Sequence, residues 1–580
     1  MDSAERSDYG VRIMMGRTSA DTAGQCSSAV GAERTLWSVV NERADEFPDK
    51  SALVFRDDDE HERSLTFSEL RDQVRAASAY FATLGLRRGD RLALWMTNRP
   101  EWVVAYLGAA RIGACVVPIN TWLTAPEVAY VLGQSQSRFL VVLDRLRGRD
   151  FLEILTEVAP GWDSAPPGQL FTRDLPDLRH VIVIRREAER PEDDPVSRLG
   201  AEAVDHSMLE VSDRMSDAVR PSDLAMIGYT SGSTAFPKGA MLDQHGFVLN
   251  ALHHTERFHM SADDSWMSAM PMFHNGGYTW GLMSCLVTGA TLHFTEAFAP
   301  DRSLRMLRDY RCTIWFASPT MARDVLSLPA SELEGLDFVR LVSAPDPGLI
   351  AAYRERIPNV ATMNPYGMTE MFGPISIADP AGPVEDRATN GWPLAGVRIR
   401  VVDPETNIDV PAGEVGEAIA QGPMMQGYWN QPEATSAAVD KDGWFHTGDL
   451  LRIEDSGRLT YVGRRKNMLR VGSENVGAEE IEYRILQHPG VVTVCAVGVK
   501  DWRRGEVAWA YVQLRGDVDV TVEELDSWCR KGLASFKVPR RFVIMPTLPQ
   551  TGSAKVDRVA LKALADEAAS EMTDFTDAGS

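Results

Sequence analysis

Cysteine is scarce in this chain, with 6 among 580 residues. Cys26, Cys115, Cys285, Cys312, Cys495 and Cys529 lie far apart, and no C-x-x-C pair occurs. That spacing argues against a zinc site and a disulfide framework, and it fits a reducing compartment. Long apolar runs are missing too: no stretch reaches the ~18 residues that a membrane span needs. The opening residues Met1, Asp2, Glu5 and Arg6 bring acidic groups and no apolar stretch, so no secretory signal is expected. Basic residues are in deficit, with 60 Lys+Arg against 82 Asp+Glu and a net charge of −22. A nucleic-acid binder would need a basic patch, so no nucleic-acid partner is expected. A small anionic ligand stays compatible, because loops and helix N-termini hold phosphate even in acidic proteins. The expectation is a cytoplasmic protein without a membrane span.

What is present is an ordinary globular composition, 44% hydrophobic. The length suits several domains, or one large domain with a smaller partner. Residues 1–33 are small and polar and are expected to be disordered. Short apolar runs then alternate with amphipathic helices. Strands are expected at Ala52–Phe55, Arg91–Met96, Cys115–Ile119, Phe139–Leu143 and His180–Ile184. Thr66 and Glu69 form a capping box, opening a helix with Leu70, Val74, Ala77, Phe81 and Leu84 on one face. Alternation of strand and helix indicates layered α/β structure. The charged segment Arg185–Arg198, with two prolines, reads as an exposed loop. After about Arg464 the pattern becomes short strands at Val492–Val499 and Ala508–Leu514 with helices at Glu479–Gln487 and near Val522. No internal repeat is found. The fold class is α/β, a large N-terminal layered domain with a small mobile C-terminal α+β domain. The boundaries are 34–463 for the large domain, 464–466 for a hinge, 467–565 for the small domain and 566–580 for a flexible tail.

The strand-like run Leu224–Tyr229 feeds Thr230, Ser231, Gly232, Ser233, Thr234, Ala235, Phe236, Pro237, Lys238 and Gly239. Hydroxyls and backbone N–H groups in a small-residue loop can wrap a polyphosphate, and Lys238 adds a point charge. The glycine spacing is not that of G-x-x-x-x-G-K-[ST]. A Gly/Ser linker is the bland reading, but a linker has no need of a preceding strand or of Pro-Lys-Gly behind it.

This string resembles the signature of the adenylate-forming superfamily: acyl-CoA synthetases, luciferases and the adenylation domains of peptide synthetases. Ala235 stands where that family usually has glycine. Further strings follow in the family's order, and the resemblance covers roughly residues 34 to 565. Pro271–Gly277 resembles the acyl-pocket segment, which implies that His274 sits where carboxylate and thiol meet. Asn364–Glu370 resembles the adenine and metal segment; it implies that Tyr366 and Gly367 lie on adenine, that Thr369 contacts phosphate and that Glu370 holds Mg²⁺. Ser343, Ala344 and Pro345 would lie against the adenine. Gly443–Asp449 resembles the ribose segment, with Asp449 accepting from the ribose hydroxyls. Gly463–Asn467 resembles the interdomain junction, with Arg464 on ribose and Lys466 at the hinge; Asn467 replaces the usual aspartate. Gly472 and Ser473, in Gly472–Val476, match the lining of the pantetheine passage, where Ser473 replaces a glycine. Leu548–Lys555 matches the catalytic-lysine segment, with Ala554 in place of glycine.

The resemblance implies two half-reactions. A carboxylate attacks the α-phosphate of Mg·ATP and expels pyrophosphate, with Lys555 among the cations that stabilise the charge. Coenzyme A thiolate then takes the acyl group and AMP leaves. In the family the small domain rotates about the hinge between the two steps. A fatty acid is the first expectation for the substrate, with aryl or side-chain acids open. Two other readings stand beside this one: loading of a carrier protein, and a non-catalytic nucleotide-binding regulator. Retained Glu370, Asp449 and Lys555 speak against the regulator. No carrier domain is evident in the roughly 25 residues after Lys555. Light-producing oxidation has no distinguishing feature here. A homodimer is a family-level expectation only.

Overall fold

A computed structural model of the chain describes residues 33–166, 168–186, 206–230, 236–344, 347–357, 359–464, 468–472, 474–516, 518, 520–549 and 556–577. The N-terminal segment read as disordered lies outside these residues, Glu33 excepted, as does the expected loop from residue 187 on.

Two mainly parallel sheets build the large domain. One has the spatial order Lys238–Asp243, Leu224–Thr230, Cys115–Pro118, Arg91–Trp95, Phe139–Leu143, His180–Ile184. Its strands run parallel except for the edge strand Lys238–Asp243, which folds back on Leu224–Thr230. The other runs Ala361–Met363, Leu341–Ser343, Ile314–Phe316, Ser265–Ser268, Thr291–Thr295, Ser51–Arg56, Glu62–Thr66. Both read in sequence as near-continuous Val/Leu/Ile runs, because helices cover their faces. Phe139 to Leu143 are all buried, for example. The expected helix spans Phe67–Thr83; its capping box is made, with Thr66 accepting from the Glu69 N–H and Glu69 from the Thr66 N–H. Leu70, Val74, Ala77 and Phe81 are its buried stripe.

Beyond these layers a four-stranded antiparallel sheet, Arg398–Val402, Val415–Gln421, Phe445–Ile453 and Leu459–Arg464, closes the large domain. The small domain is a separate five-stranded sheet. Its long hairpin Val491–Asp501 with Gly505–Leu514 carries the helices Ala478–Leu486 and Val522–Arg530. It buries its own apolar cluster, including Ile481, Ile485, Val494, Ala510 and Leu525.

One feature departs from the sequence reading. The helix Arg558–Asp577 continues through most of the segment read as a flexible tail. The Ala- and Glu-rich stretch 565–571 favours helix locally, and Leu561 and Ala565 tie its start to the hairpin. A π-helix occupies Gly276–Met283, a rare form that concentrates at functional sites. No described helix is long and apolar enough to cross a membrane.

Candidate active site

The phosphate-loop string is a hairpin. Thr230 ends one strand and pairs in register with Lys238, which begins the next. Thr230 therefore sits at the mouth, and its hydroxyl donates to Glu370 Oε1 at 3.3 Å. Tyr428 donates to the same oxygen at 3.0 Å. Lys238 completes the group, its Nζ lying 5.1 Å from the centre of the Tyr428 ring. The short 3₁₀ turn Thr369–Met371 that presents Glu370 comes close because Gly228 has no side chain: a Cβ there would meet Thr369 Cγ2 at 2.8 Å. The turn is also held from behind. Asn250 donates to the Pro374 carbonyl at 2.8 Å, and buried His254 lies between Asn250 and Ser284. Burial pushes the His254 pKa down to about 3, so it is a neutral strut.

Glu370 Oε1 is taken by two hydroxyls, and Oε2 has no protein partner among the described residues. A single carboxylate beside a threonine hydroxyl fits Mg²⁺ on a polyphosphate, which takes one or two carboxylates and keeps its waters.

A second cluster sits beside it. Tyr366 donates its hydroxyl to Asp449 Oδ2 at 2.9 Å, both residues being buried. Asp449 pairs in register with Arg464 across the strands Phe445–Ile453 and Leu459–Arg464. Residues separated by 83 positions thus converge. Ala344 is buried, and its N–H donates to the Met363 carbonyl, joining it to the strand just before Tyr366.

His274 is half-buried, and its packing, with Arg470 nearby, pushes its pKa down to about 4. It is neutral near pH 7. Its Nδ1 accepts from the Gly276 N–H at 3.2 Å, which puts the ring proton on Nε2 and makes that atom a donor.

A cavity of about 490 Å³ opens between the large and small domains. Thr121, Trp122, Ser318, Gly472, Glu474 and Arg504 line it. Gly472 adopts φ +66, in the left-handed region, and a Cβ there would lie 3.3 Å from Thr320 Oγ1 of the large domain. The cavity reaches the neighbourhood of His274 and that of the Ala344 end of the second cluster. The Trp122 ring packs on Phe273, next to His274, and Ser318 follows Ala317, whose N–H and carbonyl both bond the Ser343 hydroxyl.

Of the expected residues, the structure brings together Thr230, Lys238, Thr369 and Glu370, then Tyr366 and Asp449, and puts Gly472 on the cavity. Gly367 lies in the strand Tyr366–Met368 between the two clusters. Ser231, Gly232, Ser233, Thr234, Pro345, Lys466, Ser473 and Lys555 lie outside the described residues, as do Ala235, Asn467, Ala554 and the Arg464 side chain. Tyr428 and Glu474 were not among the expected site residues. Tyr428 belongs to an unremarkable Gly427–Asn430 string, and nothing local signals that it meets Glu370. Glu474 stands inside a motif that the sequence analysis quoted, but only its burial marks it out.

The family model for the AMP-binding enzyme matches residues 40–429, and that for the AMP-binding enzyme C-terminal domain matches residues 480–555. A *Mycobacterium tuberculosis* ligase, named for joining CoA to a propanoyl group on a methyl-dioxo-octahydroindene ring, is 32% identical over 537 residues, 92% of this chain and 99% of its own. The human mitochondrial medium-chain acyl-CoA ligase ACSF2 is 30% identical over 546 residues, 91% of this chain and 87% of its own. Among solved structures, a double mutant of the *Bacillus subtilis* o-succinylbenzoate CoA synthetase, bound with a CoA product analogue, superposes with a TM-score of 0.75. It is 25% identical, covering 92% of this chain and 99% of that one.

Proposed function

The chain belongs to the AMP-binding enzyme family, as an acyl-CoA synthetase type, and from that premise we propose that it activates a carboxylic acid with ATP and passes the acyl group to CoA. The observation that carries this reading is the meeting of two clusters at one place: Thr230, Glu370 and Tyr428 for a metal-bound polyphosphate, and Tyr366 with Asp449 for a nucleoside.

Adenine would stack on the Tyr366 ring, whose hydroxyl is already tethered. Asp449, with Arg464 opposite it, would accept from the ribose hydroxyls. Thr230, Lys238 and the loop between them would hold the phosphates. Mg²⁺ on the phosphates, held by Glu370, would neutralise their charge. The substrate carboxylate forms a bond to the α-phosphorus, the bond to the pyrophosphate oxygen breaks, and Lys555 meets the charge that develops. The thiol then enters through the cavity at Gly472, where Arg149 and Arg504 offer positive charge to an anionic acceptor. The close approach of Gly472 to Thr320 supports reading this domain arrangement as the thiol-accepting one, with rotation about Lys466 giving the other.

A medium-chain fatty acid is the first candidate substrate, by analogy with the medium-chain ligase; a propanoate on a bulky ring is the second. The test is pyrophosphate release with a panel of fatty, aryl and ring-bearing propanoic acids, with and without CoA, and with thioester yield measured in parallel. Release that depends on an acid but yields no thioester with CoA would sink the CoA assignment. No acid-dependent release at all would sink the enzyme itself.

A further inference from the structure

Thioester formation needs the thiol proton to go somewhere, and the site offers few acceptors. His274 is excluded by its own hydrogen bond: Nδ1 is occupied by the Gly276 N–H, and Nε2 already carries the proton. Its low pKa would also make it a poor base. Thr121 and Ser318 on the cavity wall are hydroxyls that ionise far above neutral pH.

Glu474 differs from these. It lies on the strand Glu474–Gly477 of the small domain, two residues after Gly472, and it lines the cavity. It is only 9% exposed. Oε2 accepts a long 3.5 Å bond from Asn120 of the large domain. Oε1 is buried with no hydrogen-bond partner among the described residues. A buried carboxylate oxygen without a donor is costly to keep, and such groups call for an explanation. Burial lifts the Glu474 pKa to about 7, with nearby Lys537 acting in the opposite direction. A carboxyl near neutrality is suited to take up a proton and release it again.

The charges around Glu474 are few. Lys537 is shared by Glu480 at 2.6 Å and Glu127 at 2.8 Å, so its charge is already answered. Arg147, Arg149 and Arg504 face the same cavity; Arg147 pairs with Asp58 and Arg149 donates to the Leu123 carbonyl.

We propose that Glu474 is the general base of the thiol step, accepting the S–H proton of the incoming thiol in this domain arrangement. The sulfur lone pair forms the C–S bond at the acyl carbonyl, the C–O bond to the phosphate of AMP breaks, and AMP leaves with that electron pair. The proton on Glu474 passes to solvent once product and domain move apart. This assignment rests on the CoA-ligase reading above.

The test separates the half-reactions in Glu474→Gln, which keeps the shape and the contact to Asn120 but cannot hold the proton. Acyl-adenylate formation, in which no thiol takes part, is the internal control for folding. Transfer from preformed acyl-adenylate to CoA is expected to fall about 10²–10⁴-fold. Wild-type transfer should level off above about pH 7. In the variant it should keep rising with pH towards the thiol's own ionisation, because thiolate must then come from solvent. Transfer within a few-fold of wild type, or a variant profile that still levels off near pH 7, would overturn the proposal. A parallel loss of adenylation would assign Glu474 a structural role instead. If the wild-type protein makes no thioester with CoA, the CoA-ligase reading itself fails, a result distinct from either outcome.

Discussion

Glu474→Gln should stabilise the protein relative to wild type, by an amount that grows as pH rises, apart from anything it does to activity. The carboxyl has a pKa near its ordinary 4.5 when the chain is unfolded and about 7 when folded, because burial penalises its charged form. Between these values the unfolded chain has released a proton that the folded chain retains. Stability therefore falls as pH rises through this window, since the slope follows protons bound unfolded minus protons bound folded. Below about pH 4.5 the group is neutral in both states and contributes no penalty. Above about pH 7 the full penalty is present, and the separation between the two pKa values makes it roughly 3 kcal/mol. Glutamine carries no such term. The stability difference between variant and wild type should shift in the variant's favour by about 2–3 kcal/mol between about pH 5 and pH 8. Urea unfolding across that range, followed by tryptophan fluorescence on the full chain, reads this directly. Parallel curves, with a difference that does not move with pH, would show that burial does not raise the Glu474 pKa and would refute this reasoning.

Lys537→Met leaves buried Glu480 and half-buried Glu127 without their cation, at a cost of about 3–5 kcal/mol, and should lower both the unfolding midpoint and the rate of thiol transfer. Glu127→Gln breaks only the arm that crosses between domains, so it should slow transfer while leaving the small domain's own hydrogen-exchange protection in place; a loss of that protection would refute the division. Tyr366→Phe keeps the ring but removes the donor to Asp449 Oδ2, and a lost donor of that kind costs about 1–3 kcal/mol. ATP binding measured by calorimetry should weaken about tenfold or more, and unchanged affinity would remove the nucleoside assignment. Lys555→Ala should cut adenylation about 10²–10³-fold and spare transfer from preformed acyl-adenylate. An equal loss in both half-reactions would mean the lysine has been given the wrong step.

The strand and helix segments were largely legible because their signals are local. Phe139–Leu143 is apolar throughout, and Thr66 with Glu69 sits three residues apart, so both are written within a single window of sequence. The layered α/β class follows from such segments in order. The acidic stretch from Glu567 was read as a flexible tail, while the helix Arg558–Asp577 draws on helix propensity and a few anchors on the hairpin.

The sequence by itself determined the family and the parts list of the site. Thr230, Glu370, Tyr366 and Asp449 each stand in a short string whose residues act together, and short strings survive being read in one dimension. Only the tertiary structure decided what those parts touch. Tyr428 joins Glu370 across 58 positions, and Lys537 reaches Glu127 across 410. Neither pairing has a local signature, because contact at such separations is a property of how sheets and domains stack. Glu474 is the sharpest case. Its identity was plain in the sequence, but its pKa depends on the water that packing removes and on the lysine that packing brings near.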